Sequence, residues 1–284
     1  MAEARDVAWY WRHPGLPGVD LLRARFVRHR YGRHTHDGYA IGVIEAGVEE
    51  WHYRGSTHRA GPGGMVFVGP GEVHDGHAGV PEGWAYRMLY PPVDLVTDVA
   101  AELGRRNGTP RFPDDAVYDP ASARAFRAAH RAAESGDVLA TSSLTRIAIA
   151  TLLRRHAVPR PMDPADSTRR LPAAVTAARE ILHERLADPP SLHDLAAEVG
   201  TAPFVLLRAF RAATGLPPHT YLNQERVRRA RALLDGGTPP AEVAARIGFA
   251  DQAHLTRHFK RIVGVPPGAY RTARTFKTDG EAAS

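Results

Sequence analysis

Three histidines stand at spacings that would let their imidazoles share one site. His34 and His36 are separated by a single residue, and His74 follows a Pro70-Gly71 turn signal further along the chain. Side chains two residues apart on a β-strand point to the same face, so His34 and His36 would project together. With His74 they would offer three nitrogen ligands, a set that divalent transition metals accept.

The residues alone leave three interpretations of these histidines open: polar contacts to a bound ligand, structural hydrogen bonds, or a metal site. We favour ligand contacts and expect no cofactor and no metal, and we keep a site of His34, His36 and His74 as the metal-binding alternative. Other polar and aromatic residues lie close enough in sequence to line the same cavity. The candidate ligand-binding residues are His34, His36, Asp37, Tyr39, Trp51, His74 and His77.

A second pattern lies near the C-terminal end, where one stretch of sequence occurs twice. Residues 208–221 recur 49 residues later as 257–270, with Arg, Phe, Gly, two prolines and Tyr in register. Upstream of each copy, a short helical pattern ends at Gly200 or Gly248, and glycine is the usual C-terminal residue of a helix. Helix, glycine turn, helix is the arrangement that places a second helix in the major groove of DNA.

The second helix of each copy carries the residues that would contact DNA. Gln can pair with adenine and Arg with guanine through two hydrogen bonds each, whereas Phe204 and Leu207 offer apolar contact to thymine methyls or belong to the core. Arg211, Lys260 and Arg261 are better placed for phosphates, which fix register without reading sequence. The candidate DNA-binding residues are Phe204, Leu207, Arg208, Arg211, Gln252, His254, Thr256, Arg257, Lys260 and Arg261.

Charge and composition narrow the classes of function. The net charge is +6, and most of it lies in residues 171–274, which favours an anionic partner such as nucleic acid. The chain has no cysteine, which excludes disulfides, thiolate metal sites and cysteine nucleophiles. Early acidic residues and the lack of a long apolar run predict neither a secretory signal nor a membrane span, so we expect a cytoplasmic protein.

Three kinds of sequence pattern along the chain predict an α+β protein with two domains. Short alternating runs and glycine-rich turns over 20–90 predict a small antiparallel β-barrel. Apolar residues at helical spacing follow, and a proline-rich stretch predicts a linker, beyond which everything looks helical. Helices are predicted at 93–106, 120–134 and 138–157. The predicted divisions are a sensing domain with a helical dimerisation segment over 1–158, a linker over 159–170, a DNA-binding domain over 171–275 and a disordered tail over 276–284.

The C-terminal repeat resembles the AraC-type (AraC/XylS) transcription regulators. The resemblance rests on the run from Gly248 to Lys260, followed by Gly264-Val265-Pro266-Pro267 and Tyr270-Arg271, and it covers about 100 residues. It implies two helix-turn-helix units joined by a long helix, here 221–234. On that helix we expect Leu222 and Ala230 to face inward and the arginines, Arg226 among them, to face outward.

The N-terminal half resembles the cupin fold, through His34-Thr35-His36 and through Pro70-Gly71-Glu72-Val73-His74. In AraC-type regulators such a barrel commonly senses a small molecule. In enzymatic cupins a glutamate completes the metal-binding set, but Ala40 stands at that position here. The resemblance therefore implies a sensing domain, and we expect no enzymatic activity.

The interpretation we favour is a sequence-specific transcription regulator that binds double-stranded DNA and responds to a small-molecule effector. The resemblance also implies a homodimer, and contact with RNA polymerase is a further expectation. Two alternatives come from other classes: a metal-dependent cupin enzyme with an autoregulatory DNA-binding tail, and a helical adaptor that binds proteins. Stoichiometric metal with chelation-sensitive activity would indicate the first, and an absence of DNA sequence preference the second.

Overall fold

The computed structural model describes residues 6–105, 108–158 and 172–272. The predicted linker over 159–170 and the predicted tail over 276–284 lie outside these residues. Contacts divide the described residues into two units, one formed by 6–31 with 35–158 and the other by 172–271 with 32–34. By backbone pairing, however, Gly32–His34 belong to a strand of the N-terminal sheets.

The strands of the N-terminal unit form two sheets. A six-stranded sheet has the order β1-β2-β9-β4-β7-β10, and a four-stranded sheet has the order β3-β8-β5-β6. Each sheet ends in edge strands among the described residues, so the predicted barrel is not closed although its cupin-like sheets are present. The strands are β1 (Val7–Arg12), β2 (Asp20–Phe26), β3 (Arg30–His34), β4 (Ala40–Gly47), β5 (Glu49–Tyr53), β6 (Ser56–Ala60), β7 (Met65–Val68), β8 (His74–Ala78), β9 (Trp84–Tyr90) and β10 (Ala116–Val117).

Helices cover one face of the six-stranded sheet. They are α1 (Val93–Glu102), α2 (Pro120–Ser135) and α3 (Val138–His156), close to the three predicted segments. Ile41 on the sheet, Phe126 on α2 and Leu152 on α3 share one buried apolar cluster. Burying apolar surface of this kind is the main favourable contribution to folding.

The opposite face of the six-stranded sheet turns toward the four-stranded sheet; we call these two facing surfaces the inner face. Side chains alternate along a strand. In the six-stranded sheet, the residues that alternate with the helix-covered ones therefore point toward the four-stranded sheet. Tyr31 of β3 and Tyr86 of β9 meet there, with their hydroxyl oxygens 2.7 Å apart. His36 also contacts Tyr90 of β9, with ring centroids 5.0 Å apart. The inner face therefore has aromatic and polar groups at its centre.

The C-terminal unit is helical, and its helices follow the predicted repeat. Two short helices, α5 and α8, end at glycines in the left-handed conformation, Gly200 with φ 69° and Gly248 with φ 79°. Ser191 and Asp251 cap the N-termini of α5 and α9 by accepting hydrogen bonds from backbone N–H groups. The helices are α4 (Ala173–Glu184), α5 (Leu192–Glu198), α6 (Pro203–Thr214), α7 (Pro218–Asp235), α8 (Pro240–Arg246), α9 (Gln252–Val263) and α10 (Pro267–Thr272).

The same kind of aromatic contact occurs in both halves of the C-terminal unit. Phe210 of α6 meets Tyr221 edge to face at 5.3 Å, and Phe259 of α9 meets Tyr270 at 5.2 Å, both with rings inclined by 74°. Each tyrosine hydroxyl accepts a hydrogen bond from an arginine. The sequence repeat does not show which arginine this is. The first donor is Arg179 Nε at 3.1 Å, and the second is Arg231 Nε at 3.2 Å. The sequence repeat is therefore also a repeat of contacts.

The long helix α7 differs from expectation at Arg226. The side chain was expected to face outward, but the residue is buried, with 8% exposed. Its Nε donates to the Leu186 carbonyl at 2.8 Å, and its guanidinium lies over the Phe249 ring at 5.5 Å. Arginine can be buried when a carbonyl and an aromatic face replace its water. Among the described residues, no helix is both long and apolar enough to cross a membrane.

The two turn glycines give a matched test of this packing. A Cβ at Gly248 would collide with the Ala187 backbone and the Arg226 guanidinium, whereas a Cβ at Gly200 would meet nothing within 4 Å. Both positions are left-handed, which costs an L-residue about 1 kcal/mol. We expect Gly200→Ala to lower the free energy of unfolding by about 1 kcal/mol and Gly248→Ala by about 3 kcal/mol. Urea unfolding followed by circular dichroism measures both, and equal losses would contradict the collision.

Candidate functional site

Helix α9 has one buried side and one polar side. Leu255 and Phe259 are fully buried and fix the helix against its neighbours, as their pattern predicts. The opposite side carries Arg257, Lys260 and Arg261, which are all exposed, and Gln252 is exposed at the N-terminal end of the helix. Positions three or four apart lie on one side of a helix, so the three cationic groups form a continuous surface.

Two of the predicted DNA-contacting residues on α9 are engaged within the protein. His254 is half-buried, with its ring 5.1 Å from Phe249 and 4.9 Å from His258. Thr256 donates its hydroxyl to the Gln252 carbonyl at 2.8 Å. Both can still touch a surface that approaches the helix, but neither is as accessible as Gln252 or Arg257.

The electrostatic environment of α9 is positive. Burial first, and then the nearby charges of His254, Arg261, Arg257 and Arg226, lower the pKa of His258. Within the described residues, no carboxylate forms an ion pair with Arg257, Lys260 or Arg261. This surface is therefore suited to an anion.

The corresponding helix α6 presents a more apolar surface. Phe204 is 67% exposed, so it is not a core residue, and the Arg208 guanidinium lies 6.0 Å from its ring. Arg208 and Arg211 are exposed, while Leu207 is half-buried. Val205, which sequence reasoning missed, is 57% exposed. The repeat could have revealed it, since Val205 aligns with His254.

In the N-terminal unit, the structure brings three of the candidate ligand-binding histidines together. One ring nitrogen from each of His34, His36 and His74 lies within 4.8 Å of the other two. His34 Nδ1 is 2.8 Å from the Gly32 carbonyl oxygen, and His74 Nδ1 is 3.2 Å from the Glu72 carbonyl oxygen. His34 and His74 are buried, and His36 is half-buried.

The other candidate ligand-binding residues are distributed over different surfaces. Trp51 is buried on the four-stranded sheet and stacks on His58 at 5.5 Å. Tyr39 lies in the helix-covered core instead, where its hydroxyl donates to the Pro110 carbonyl at 2.6 Å. His77 pairs with Glu50 at 3.3 Å, and its odd offset from His74 places it on the outer side of β8. Asp37 is exposed in the segment between β3 and β4.

A buried carboxyl group on the inner face was missed in the sequence. Glu49 begins β5, and burial raises its pKa to about 8. Its Oε2 atom is buried and has no hydrogen-bond partner among the described residues. Its charge in turn raises the pKa values of Tyr31 and Tyr86, after the larger effect of their burial. Alternation along β5 could have revealed it, since Glu49 has the same parity as Trp51.

Comparison with protein families assigns each of the two units to a known domain family. A model described as the AraC-like ligand binding domain matches residues 16–156, and one described as a helix-turn-helix domain matches residues 195–273. Together they match more than half of the chain. The chain belongs to the AraC-type transcription regulators. The expected family and general function are therefore confirmed, and the matched families are regulators rather than enzymes.

Curated relatives of this regulator are similar over most of its length. The HTH-type transcriptional regulator YbfI of Bacillus subtilis is 25% identical over 245 residues, which span 84% of this chain and 86% of YbfI. The MmsAB operon regulatory protein of Pseudomonas aeruginosa is 25% identical over 252 residues, 86% of this chain and 78% of that protein. Both names describe regulators.

Solved structures of ToxT from Vibrio cholerae share the fold of this regulator. The form with bound unsaturated fatty acid has a TM-score of 0.53 at 11% identity and covers 97% of each chain. ToxT from strain O395 has a TM-score of 0.51 at 10% identity, covering 96% of this chain and 98% of that one. At these identities the likeness shows the two-domain fold alone.

Glu49 is half-buried with its Oε2 atom enclosed, and this environment predicts an unusual pH dependence of stability. In the unfolded chain its pKa is near 4.5, and in the fold it is about 8. The folded state therefore binds the extra proton, and the free energy of unfolding falls as pH rises from about 4.5 to about 8. Glu49→Gln stays neutral, so we expect it to be more stable than the native chain by about 2 to 4 kcal/mol at pH 8.

Urea unfolding of both proteins between pH 5 and pH 8 measures this difference. Glu50→Gln is the matched control, because Glu50 is the next residue on β5 and pairs with His77 and Arg59 on the outer side. The control should keep the native pH profile. Identical profiles for Glu49→Gln and the native chain would contradict a raised pKa for Glu49.

Proposed function

We propose that this regulator reads one asymmetric DNA site by placing α6 and α9 in two successive major grooves. In this proposal residues 171–275 form the DNA-binding domain, residues 1–158 form the sensing domain and residues 159–170 link them. The observation that carries the proposal is the exposed, cationic side of α9 opposite a fully buried one. Successive major grooves on one side of B-DNA are about 34 Å apart.

Base recognition by α9 rests on Gln252 and Arg257. Both are exposed near the N-terminal half of the helix, which is the part of a recognition helix that reaches the base edges. Arg257 would pair with guanine and Gln252 with adenine, each through two hydrogen bonds. His254 and Thr256 contribute less, because both are already engaged with the protein.

Recognition by α6 is more apolar and therefore less discriminating. Arg208 is its base-reading residue, and the exposed Phe204 and Val205 offer apolar contact to thymine methyl groups. Arg211, Lys260 and Arg261 contact phosphates, which hold both helices in register.

The N-terminal unit binds the effector at its inner face. Its match to the AraC-like ligand binding domain and the fatty-acid-bound ToxT structure support a small molecule there. The inner-face candidates are His34, His36, His74 and Trp51, joined by the newly found Glu49. Tyr39 and His77 are not retained, because the first belongs to the helix-covered core and the second to the outer side of β8. Residue Asp37, at the edge of the histidines, is retained.

A second copy of the chain would pack against the outer side of α3. Leu139 is 76% exposed and Ile147 is 55% exposed, and they lie two helical turns apart on one side of that helix. Exposed apolar groups so arranged are typical of an interface. We further propose that the dimer acts in the cytoplasm; contact with RNA polymerase stays a prediction.

The dimer is tested by Leu139→Glu combined with Ile147→Glu. Two buried charges would oppose association, so we expect the full chain to change from dimer to monomer in sedimentation velocity. Val205→Glu, which changes an exposed apolar residue of the other unit, should remain dimeric. A native chain that sediments as a monomer, or a double variant that stays dimeric, would refute this interface.

DNA reading is tested by Arg257→Ala on a duplex that the full chain selects from random DNA at fixed salt. Losing the bidentate contact should weaken binding by about 1 to 3 kcal/mol and relax preference at one base position. Repeating the selection with the variant shows which position is relaxed. An equal loss of affinity for every sequence would mean that Arg257 contacts phosphate.

Lys260→Ala is the matched comparison, one helical turn further along α9. Removing a phosphate contact should lower affinity for all sequences and reduce the slope of log affinity against log salt by about 1. Its selected motif should equal that of the native chain. Failure of the native chain to select any motif would contradict the proposed function as a whole.

A further inference from the structure

We propose that His34, His36 and His74 bind one divalent first-row transition-metal ion, and that this ion is the effector of the regulator. Metal binding stands on the histidine geometry alone, whereas the effector role rests on the proposed function. The expected metals are Co²⁺, Ni²⁺, Cu²⁺ and Zn²⁺, because imidazole nitrogen suits these ions and not Mg²⁺ or Ca²⁺.

The distances among the three rings are close to those of a metal site. The candidate nitrogens all lie within 4.8 Å of one another. Nitrogens bound to one tetrahedral zinc ion at 2.0–2.1 Å lie about 3.3 Å apart. Each nitrogen therefore needs to move by less than about 1 Å, which rotation about the side-chain bonds can supply. His36 and His74 already face each other with centroids 5.0 Å apart.

The hydrogen bonds behind the rings are those that orient metal ligands. His34 Nδ1 donates to the Gly32 carbonyl and His74 Nδ1 to the Glu72 carbonyl, at 2.8 and 3.2 Å. A neutral imidazole that donates through Nδ1 carries its lone pair on Nε2. Metal-binding histidines almost always have such a second hydrogen bond, which fixes the tautomer and the ring orientation. In these two rings Nδ1 is committed to a carbonyl, so Nε2 would be the nitrogen that binds the metal ion.

The three imidazole ligands determine which ions bind and which further ligands those ions take. Three neutral imidazoles leave the charge of a divalent ion uncompensated and leave at least one coordination position for water or an anion. The nearby Glu72 carboxylate is engaged by Arg54 at 3.0 Å and by the Tyr53 hydroxyl. At the position where enzymatic cupins place a glutamate ligand, this chain has the buried Ala40. The three histidines would therefore hold the ion without a carboxylate ligand.

Direct binding is tested with the full chain, purified without a polyhistidine tag and freed of metal. Co²⁺ titration should produce visible absorption bands and saturate at one ion per chain, and Zn²⁺ should displace it. His36→Gln changes the most accessible of the three histidines and should weaken Co²⁺ binding at least ~10-fold. His77→Gln, on the outer side of the strand that carries His74, should bind as the native chain does.

A second readout guards against a variant that fails to fold. Zn²⁺ should raise the unfolding temperature of the native chain and of His77→Gln, because a ligand of the folded state stabilises it. At the same Zn²⁺ concentration it should raise that of His36→Gln by less, and His34→Gln repeats the test at a second ligand. No bound Co²⁺ in the native chain, or equal binding by His36→Gln and His34→Gln, would overturn the site.

The effector role is tested by binding of the selected DNA with and without Zn²⁺. We expect the ion to change the affinity of the native chain and of His77→Gln at least ~5-fold, and not that of His36→Gln, since typical couplings are of this size. Equal affinities with and without Zn²⁺ would overturn the effector role. DNA selection by the metal-free chain is scored separately, so a failed metal test is distinct from a failed DNA test.

Discussion

In each half of the DNA-binding domain, a phenylalanine of the recognition helix packs against a tyrosine ring. An arginine donates a hydrogen bond to the hydroxyl of that tyrosine. The first set is Arg179, Phe210 and Tyr221, and the second set ends with Phe259 and Tyr270. Helix α7 belongs to both, because it supplies the tyrosine of the first half and Arg231, the arginine of the second. One helix thus fixes the buried sides of both recognition helices, and the exposed sides follow from that constraint.

That shared helix connects packing to function. With their apolar sides anchored on α7 and its neighbours, α6 and α9 have their arginines available on the surface. Buried positions such as Phe210 and Phe259 match between the two copies, and the differences include exposed positions. Phe204 and Val205 in the first half align with Ala253 and His254 in the second, so the halves share a scaffold and differ in the side chains that they present.

The repeat predicted the helices, turns and family because local patterns determine them. It did not predict the burial of Arg226, whose partners Leu186 and Phe249 are distant in sequence. Alternation along a strand predicted that His34 and His36 would point to one side, whereas β3 ends at His34 and His36 follows it outside the strand. The cupin resemblance added His74, and the fold brings the three histidines together. The same alternation, applied further, would have separated His77 from that cluster. Tyr39 could not be assigned from sequence, because its partner in the loop at Pro110 is defined only by the fold.

The most direct test of the two-helix account is methylation interference on the selected duplex with the full chain. Methylation of guanine N7 blocks contacts in the major groove. The account predicts two clusters of interfering guanines about one helical turn apart on one side of the DNA. A single cluster of guanines, or interference confined to adenines methylated at N3 in the minor groove, would contradict the claim that both recognition helices enter major grooves.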